Sequence, residues 1–357
     1  MPSARIEVPH KGGGAEGACF LVEPLVGRHS AFRLAGGWGI SLATVSEDIC
    51  VGKRFVSVGE AMIEMSGGEE GLYRLGYAGD TLNTAWYMRA LLPDGWDVDY
   101  VTALGDDMYS AQMRAFIDKG GIGTGRIQTI AGKRPGLYMI HQAEGDRHFT
   151  YWRGQSAAKL LADDTEALEE ALVGADIVYF SGISMAILAP RARGRLMRTI
   201  VKAREAGAKV VFDTNLRPAL WTSQKIMAST LTAAATIADI VLPTHGDEAP
   251  VFGDASPEAT AERYLKIGAS EVVVKNGAEP ALVATSDGLR EYVPAPKADK
   301  VVDATGAGDS FNGGYLSARE RGIEPVEAAR LAHTVAGVVI GHKGALVDPK
   351  LVKGMAG

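Results

Sequence analysis

The strongest constraint on the fold is a series of short, almost wholly apolar segments that alternate with helical patterns along the chain. The apolar segments are 55–59, 100–105, 177–182, 209–213, 240–243 and 271–275. Helical patterns between them include 85–92, 111–119, 191–206 and 257–267. Strands that are buried on both faces and separated by helices are typical of a mostly parallel sheet covered on both sides. The sequence therefore predicts an α/β fold with three layers, α/β/α.

Two segments, near 62–78 and 135–153, break this alternation. Each contains two amphipathic stretches separated by a short glycine-containing turn, a pattern typical of a β-hairpin. We expect the two hairpins to form a small sheet over the carboxyl edge of the main one. Residues 1–52 differ from the rest, with many glycines and few periodic segments, so we expect an extension of unassigned role before one large domain over 53–350.

The overall charge and the cysteines exclude several classes of protein. The net charge is −6 with 22% charged residues, which argues against a nucleic-acid partner because such proteins usually carry a basic surplus. The two cysteines, Cys19 and Cys50, do not have the spacing of metal ligands. No apolar run is long enough for a membrane span, and no secretory signal pattern begins the chain. We expect a cytoplasmic protein without a membrane partner.

The segment 303–310, Asp-Ala-Thr-Gly-Ala-Gly-Asp-Ser, lies between a short apolar stretch and a helical pattern. Its small residues Gly306, Ala307 and Gly308 allow backbone amides to approach an anion, and the positive end of the helix points to the same place. A carboxylate at Asp309 would repel phosphate. It is useful there as a base that takes the proton from a hydroxyl attacking the γ-phosphate. The simpler alternative is an aspartate that caps a helix.

The longer string 303–311 resembles the carboxyl-terminal signature of the ribokinase-like (PfkB) carbohydrate kinases, and the resemblance covers about residues 54–348. It implies the ribokinase-like fold with a small-sheet lid, the cofactors ATP and Mg2+, and self-association into a homo-oligomer. It leaves open whether a monovalent cation assists. A literal G-x-G-x-x-G at 12–17 lacks the preceding strand that a dinucleotide site requires.

Other segments are similar to one subgroup of this family, the kinases of 2-dehydro-3-deoxygluconate. They are 59–64, 76–85, 135–140, 149–159 and 213–221. The resemblance therefore implies phosphorylation of this small acidic sugar at O6. Fructose, ribose or 5-dehydro-2-deoxygluconate are alternative substrates. A non-catalytic sugar or nucleotide sensor on the same fold is a further alternative, but such a protein is expected to lack the base or the anion site.

Candidate substrate-binding residues occur in two places besides Asp309. Gly79, Asp80 and Asn83 lie where a strand meets the start of a helix, so their carboxylate and amide groups could hold hydroxyls. The alternative for Asp80 is a helix cap. Tyr138 and Arg153 lie on the second hairpin, and the guanidinium fork of Arg153 matches the two oxygens of a carboxylate. Tyr138 could instead pack within the lid, and Arg153 could be a solvated charge.

Candidate nucleotide-binding residues follow from the resemblance. It implies that Asn215 and Arg217 contact substrate or nucleotide phosphates, and that Lys275 and Gly277 belong to a nucleotide-binding turn, with a plain turn as the alternative. It also implies that His333 lines the adenine site, where helix packing is an equal alternative.

No metal ligand is assigned from the sequence. Many relatives carry Asn-x-x-Glu, a motif linked to magnesium, where this chain has Thr244 and Asp247. The substitution leaves open whether Asp247 or Glu248 orders a magnesium-bound water.

Overall fold

A computed structural model describes residues 52–67, 71–143, 146–297 and 300–356 of the chain. The extension expected over residues 1–52 therefore lies outside the described residues, apart from Gly52. The structural statements below concern the described ranges.

The main sheet of the described ranges has eight strands. In spatial order these are β14 (Arg290–Val293), β13 (Ala281–Thr285), β12 (Glu271–Val274), β11 (Ile240–Val241), β10 (Lys209–Asp213), β9 (Ile177–Ser181), β1 (Lys53–Val58) and β4 (Trp96–Val101). Neighbouring strands are parallel from β4 to β12, and β13 pairs antiparallel with both of its neighbours. The predicted mostly parallel sheet is confirmed.

Helices follow most strands of the main sheet. They are α1 (Asp80–Leu91), α2 (Met108–Lys119), α3 (Thr165–Leu172), α4 (Gly182–Ile187), α5 (Pro190–Glu205), α6 (Gln224–Ala235), α7 (His245–Phe252), α8 (Pro257–Lys266), α9 (Ala307–Glu320), α10 (Pro325–Ile340) and α11 (Lys350–Lys353). Short 3-10 turns occur at Ala157–Leu160, Pro218–Leu220 and Gly354–Ala356. Among the described residues, no helix is both long enough and apolar enough to span a bilayer.

The central strands are apolar on both faces because their side chains enter two different cores. Phe180 and Phe212 pack in one core with α3, α5, α6 and α8. Tyr179 and Val211, the residues just before them, pack in the other core with α1, α2, α9 and α10. Each fully buried side chain of this size contributes about 1.5–3 kcal/mol, so both helical layers are held firmly on the sheet. This arrangement confirms the predicted three layers.

A small sheet stands apart from the main one. In spatial order its strands are β3 (Tyr73–Ala78), β2 (Met62–Gly67), β7 (Gly136–Ala143) and β8 (Asp146–Trp152). The pairs β2–β3 and β7–β8 are antiparallel and coincide with the two segments expected to form hairpins, while β2 and β7 pair in parallel. Because β2 begins shortly after the carboxyl end of β1, the small sheet is attached at the carboxyl edge of the main sheet. A further short pair joins β5 (Ala103–Leu104) to β6 (Gln128–Thr129).

Helix α9 is wedged between α1 and α10 through two adjacent glycines. A methyl group on Gly313 would lie 2.5 Å from Cβ of Tyr87 on α1, and one on Gly314 would lie 3.0 Å from Cα of Ala332 on α10. Both distances are shorter than normal carbon contacts, so these two glycines allow the three helices to approach closely.

Candidate active site at the start of α9

The loop before α9 has a conformation that only glycine adopts without strain at one position. Gly306 caps the helix with φ 78° and ψ 2°, and a methyl group there would lie 2.8 Å from the carbonyl oxygen of Ala345. This turn places Asp309 in the first turn of α9, as the sequence predicted from the small residues around it.

A buried carboxylate fixes the same loop from below. Asp303 accepts a hydrogen bond from the amide of Thr305 at 3.0 Å and another from the amide of Gly344 at 2.6 Å. The first contact forms a local turn, and the second ties the loop to the chain that follows α10. Asp303 therefore fixes the amino-terminal end of the string 303–308.

The amides of the first turn of α9 are only partly available. The amide of Ala307 donates to the carbonyl of Ala304 at 3.2 Å, whereas Ser310 already makes a helical bond to Gly306. The ammonium of Lys275 comes close to this turn, since a methyl group on Gly308 would lie 3.7 Å from its Nζ. A phosphate oxygen beside Gly308 would thus meet both the positive helix end and a lysine.

The Asp309 carboxylate lies among other charged groups. Asn83 donates to its Oδ2 from Nδ2 at 2.7 Å. Burial and the nearby charge of Asp80 raise the pKa of Asp309 to about 7, and Asp213 acts in the same direction, while Asn83 and Lys275 act against the rise. A carboxyl group with a pKa near neutrality can both accept and release a proton at the pH of a cell.

Asp80 and Asn215 form a second polar pair beside the base. Nδ2 of Asn215 donates to Oδ2 of Asp80 at 2.8 Å. The backbone amide of Asn215 donates to Oδ1 of Asp213 at 3.1 Å. Asn215 has φ 31°, a conformation that side chains other than glycine rarely adopt, and strain of this kind concentrates at functional sites. Burial raises the pKa of Asp80 as well.

A buried network supports this cluster from the core. Lys275 donates from Nζ to Asp213 and to Asn312, each at 3.1 Å. Asn312 in turn donates to Asp213 at 2.7 Å and to the hydroxyl of Tyr179 at 3.1 Å. Thr84 donates to the same hydroxyl at 3.1 Å. The network joins β9, β10, α1, α9 and the segment just after β12, so the groups around Asp309 are held by five separate parts of the chain.

The start of α1 contributes the other predicted substrate residues. The amide of Gly79 donates to Oδ1 of Asn83 at 3.3 Å, which orients the amide group that contacts Asp309. A methyl group on Gly79 would lie 2.1 Å from the carbonyl oxygen of Glu60, so glycine is required there by close packing. The structure therefore brings Gly79, Asp80 and Asn83 together with Asp309.

The small sheet contributes two paired side chains. The hydroxyl of Tyr138 donates to Glu64, and Tyr138 is buried against Tyr151. Burial and the charge of Glu64 raise the pKa of Tyr138, and Tyr151 and Asp309 act in the same direction. Tyr138 therefore packs within the small sheet, and a contact with the substrate stays a prediction.

Arg153, at the end of β8, donates from Nη2 to Glu60, which also accepts from the hydroxyl of Ser156. Only 13% of its side chain is exposed, so it is not the freely solvated charge that the sequence left as an alternative. Its Nε is buried and has no hydrogen-bond partner among the described residues.

The residues near the expected magnesium motif have separate roles. Glu248 is fully buried and accepts from Arg263 at 2.7 Å and from the hydroxyl of Tyr264 at 2.8 Å. Asp247 is partly exposed, and its Oδ2 lies 3.4 Å from Nη1 of Arg217. Glu248 is thus used inside the protein, and Asp247 is the carboxylate that a phosphate-bound ion could approach.

Two other predicted nucleotide residues lie farther from the network. Gly277 has φ 64° in the turn after β12. His333 on α10 contacts the carbonyl of Val293 through Nε2 at 3.1 Å and packs edge-on against Phe311. Burial lowers the pKa of His333. These contacts agree with the helix-packing alternative, and a role at the adenine site stays a prediction.

Sequence reasoning missed several residues of this site. The sequence assigns no role to Asn312 or Tyr179, and Glu60 and Glu64 occur there only within the segment 59–64 that resembles the subgroup. Asn312 follows Asp309 by three residues on α9, and this helical spacing is the one signal that pointed to it.

Comparison with known proteins agrees with the geometry. The family model described as "pfkB family carbohydrate kinase" matches residues 53–350. The 2-dehydro-3-deoxygluconokinase of Dickeya dadantii (strain 3937) is 41% identical over 301 residues, which are 83% of this chain and 97% of that protein. The enzyme of the same name from Escherichia coli (strain K12) is 40% identical over 303 residues, with the same two shares.

A solved structure of similar shape is a fructokinase with bound ATP from Xylella fastidiosa. It matches with a TM-score of 0.75 and 23% identity, over 85% of this chain and 98% of that one. At this identity the likeness shows the fold, which is that of the ribokinase-like proteins.

Proposed function

The chain belongs to the pfkB family of carbohydrate kinases, and from this premise we propose that it phosphorylates 2-dehydro-3-deoxy-D-gluconate at O6 with ATP. The observation that carries the substrate is the identity of about 40% with curated 2-dehydro-3-deoxygluconokinases along nearly their whole length. The observation that carries the chemistry is an aspartate of raised pKa in the first turn of α9.

In the proposed reaction, O6 of the sugar attacks the γ-phosphorus of ATP while its proton passes to the carboxylate of Asp309. The bond between the γ-phosphorus and the β–γ bridging oxygen breaks, and ADP leaves with that oxygen. Asp309 then releases the proton to solvent. Asn83 keeps the carboxylate oriented, and the positive helix end with Lys275 stabilises the charge on the transferred group.

A divalent ion accompanies ATP in kinases of this type. Magnesium usually keeps several waters and is held by one or two carboxylates together with substrate phosphates. The described residues contain no group of three or more His, Cys, Asp or Glu side chains suited to a metal. This donor set fits an ion that binds mainly through the nucleotide, and we assign Asp247, which is partly exposed, as the carboxylate that would order one of its waters. Replacement of K+ by tetramethylammonium would test whether a monovalent cation assists, which the sequence leaves open.

Asp309→Asn tests the base. We expect turnover to fall by roughly two to four orders of magnitude while ATP affinity changes little, because the proton acceptor is lost but the anion site remains. Turnover within about tenfold of the wild type would remove Asp309 from this role.

A substrate panel tests the sugar. We expect the wild-type protein to release ADP fastest with the acidic sugar, and Arg153→Ala to raise the KM for that sugar because a carboxylate partner is lost. Preference for fructose or ribose would replace the acid assignment, and a KM unaffected by Arg153→Ala would remove Arg153 from the site. Tight sugar binding without ADP release would instead identify a sensor, although the retained base and anion site count against this alternative.

We further propose that the protein forms a homo-oligomer through the small sheet. Large apolar side chains are concentrated there on the surface: Leu72, Phe149, Tyr151 and Trp152 are 74%, 41%, 50% and 57% exposed. The edge strand β8 also presents unpaired backbone groups. Light scattering of the wild type and of Trp152→Glu would test this, and a monomeric wild type would refute it.

A further inference from the structure

Glu60 lies in the connection between β1 and β2 and is 2% exposed. Its side chain accepts hydrogen bonds from Arg153 and Ser156, which follow it by more than ninety residues. A buried carboxylate is unfavourable unless it is paired and hydrogen-bonded. Here Oε2 accepts from Arg153 and Oε1 accepts from Ser156, both of which follow β8.

Glu60 also lies where the chain passes between the main sheet and the small sheet. The chain makes four such crossings: before β2, after β3, before β7 and after β8. Glu60 is itself in the first. At the second, a methyl group on Gly79 would lie 2.1 Å from the carbonyl oxygen of Glu60. At the third, a methyl group on Gly136 would lie 2.9 Å from its Oε1. At the fourth it holds Arg153 and Ser156, so one residue contacts all four crossings.

The geometry of Arg153 indicates what this contact is for. Its Nη2 is taken by Glu60, its Nε is buried without a partner among the described residues, and its guanidinium lies 5.9 Å from the ring centre of Tyr151. Leaving a buried charged donor unpaired is costly, so the guanidinium of Arg153 has hydrogen-bonding capacity that its contacts within the described residues do not use. Without Glu60 the long arginine side chain would be free to turn toward water.

We propose that Glu60 is a positioning residue that holds the guanidinium of Arg153 in place for the carboxylate of the acidic sugar. Glu60 thereby links recognition of that carboxylate to the attachment of the small sheet. This inference rests on the proposed function and deepens it, since it assigns the residue that orients the specificity-determining arginine.

Two physical effects compete in a variant that lacks the negative charge. Removing the carboxylate of Glu60 leaves the positive charge of Arg153 without its negative partner, which would attract the acid more strongly. It also releases the guanidinium from its fixed position, which would weaken binding. Because the guanidinium must be held in one orientation to meet both oxygens of a carboxylate, we expect the loss of position to dominate.

The experiment uses the full chain and the nearly isosteric variant Glu60→Gln, with KM measured separately for the acidic sugar and for ATP. We expect the KM for the acid to rise roughly 10- to 100-fold while the KM for ATP stays within about twofold. Glu60→Asp keeps the charge and should restore part of the loss. The matched control is Glu271→Gln, another buried carboxylate, which pairs with Arg319 at 3.0 Å at the start of β12 and so at the opposite edge of the sheet. It should alter stability without changing either KM.

A double variant shows whether Glu60 acts through Arg153. In the Arg153→Ala background, Glu60→Gln should cause no further rise in the KM for the acid, because the arginine it positions is gone. Additive effects would overturn the proposal, and so would a Glu60→Gln protein that binds the acid as tightly as the wild type or more tightly. Failure of the proposed function is seen separately, since a wild type that prefers a neutral sugar fails before any variant is compared.

Discussion

Asp309→Asn should make the folded protein more stable while it lowers turnover by roughly two to four orders of magnitude. Asparagine has nearly the same shape as aspartate and keeps an oxygen that can accept from Nδ2 of Asn83, so the hydrogen bond at 2.7 Å can persist. The substitution removes a negative charge that burial and Asp80 make unfavourable. Active sites commonly trade stability for function in this way.

The magnitude follows from the pKa of Asp309, which the fold raises from 3.8 to about 7. Each pKa unit corresponds to about 1.4 kcal/mol, so ionising this group at pH 8 costs the folded state at most about 4 kcal/mol. The carboxylate is partly exposed, and water at its surface reduces this value. We therefore expect about 2 kcal/mol, which for a domain of this size raises Tm by roughly 3 °C.

The sign depends on pH in a defined window. Because the pKa of Asp309 is raised in the folded state, the contribution of this group to the stability of the wild type is fully present below about pH 4. It is lost as the pH rises through about 7. The advantage of Asp309→Asn should consequently be small at pH 5, grow up to about pH 7 and then level off. Thermal unfolding at pH 5 and at pH 8 would measure this.

A matched control is Asp97→Asn, which removes an exposed aspartate on β4. It should leave Tm nearly unchanged at both pH values. The reasoning would be refuted if Asp309→Asn were no more stable than the wild type at pH 8, or if its advantage were the same at both pH values.

Three further outcomes follow from the site. For the wild type we expect the acidic limb of the pH profile of kcat/KM near pH 7. In Asp80→Asn this limb should move to lower pH, because a charge that raises the pKa of Asp309 is removed. An unmoved limb would contradict this. Gly306→Ala should lower the free energy of unfolding by about 1–3 kcal/mol in denaturant titrations, since φ 78° and the contact with Ala345 strain any side chain, and a wild-type midpoint would argue against that strain. Lys275→Met should destabilise the folded protein by about 3 kcal/mol, because Asp213 loses its buried partner. Adding Asp213→Asn should recover part of this loss. A double variant no more stable than Lys275→Met would disprove the pairing argument.

The fold was predictable because its signals are local. An apolar strand such as β9, whose five residues are all buried, can be recognised from consecutive residues, and so can the helices that follow. The hairpin segments were visible for the same reason, since the turns and the amphipathic strands lie within one short stretch.

The site was predictable only where a motif carried it. Asp309 and Gly306 lie in one continuous string, so their chemistry could be inferred together. The pairs that surround them are formed by residues distant in sequence. Arg153 meets Glu60 across 93 positions, and Asn83 meets Asp309 across 226. Nothing local indicates such a partner, so the sequence suggested what Arg153 could bind but not that Glu60 already holds it.

The two glycines at which α9 meets its neighbours have a consequence for how substrate and base come together. With Gly313 against Tyr87 and Gly314 against Ala332, α9 has no room to shift toward α1 or α10. The helix that carries Asp309 is therefore fixed in position relative to α1 and α10. Any approach between the sugar and the base must come from the other side, through the small sheet and the crossings at Glu60, so substitutions at those crossings should change the rate of capture and release of the sugar while Asp309 stays in place.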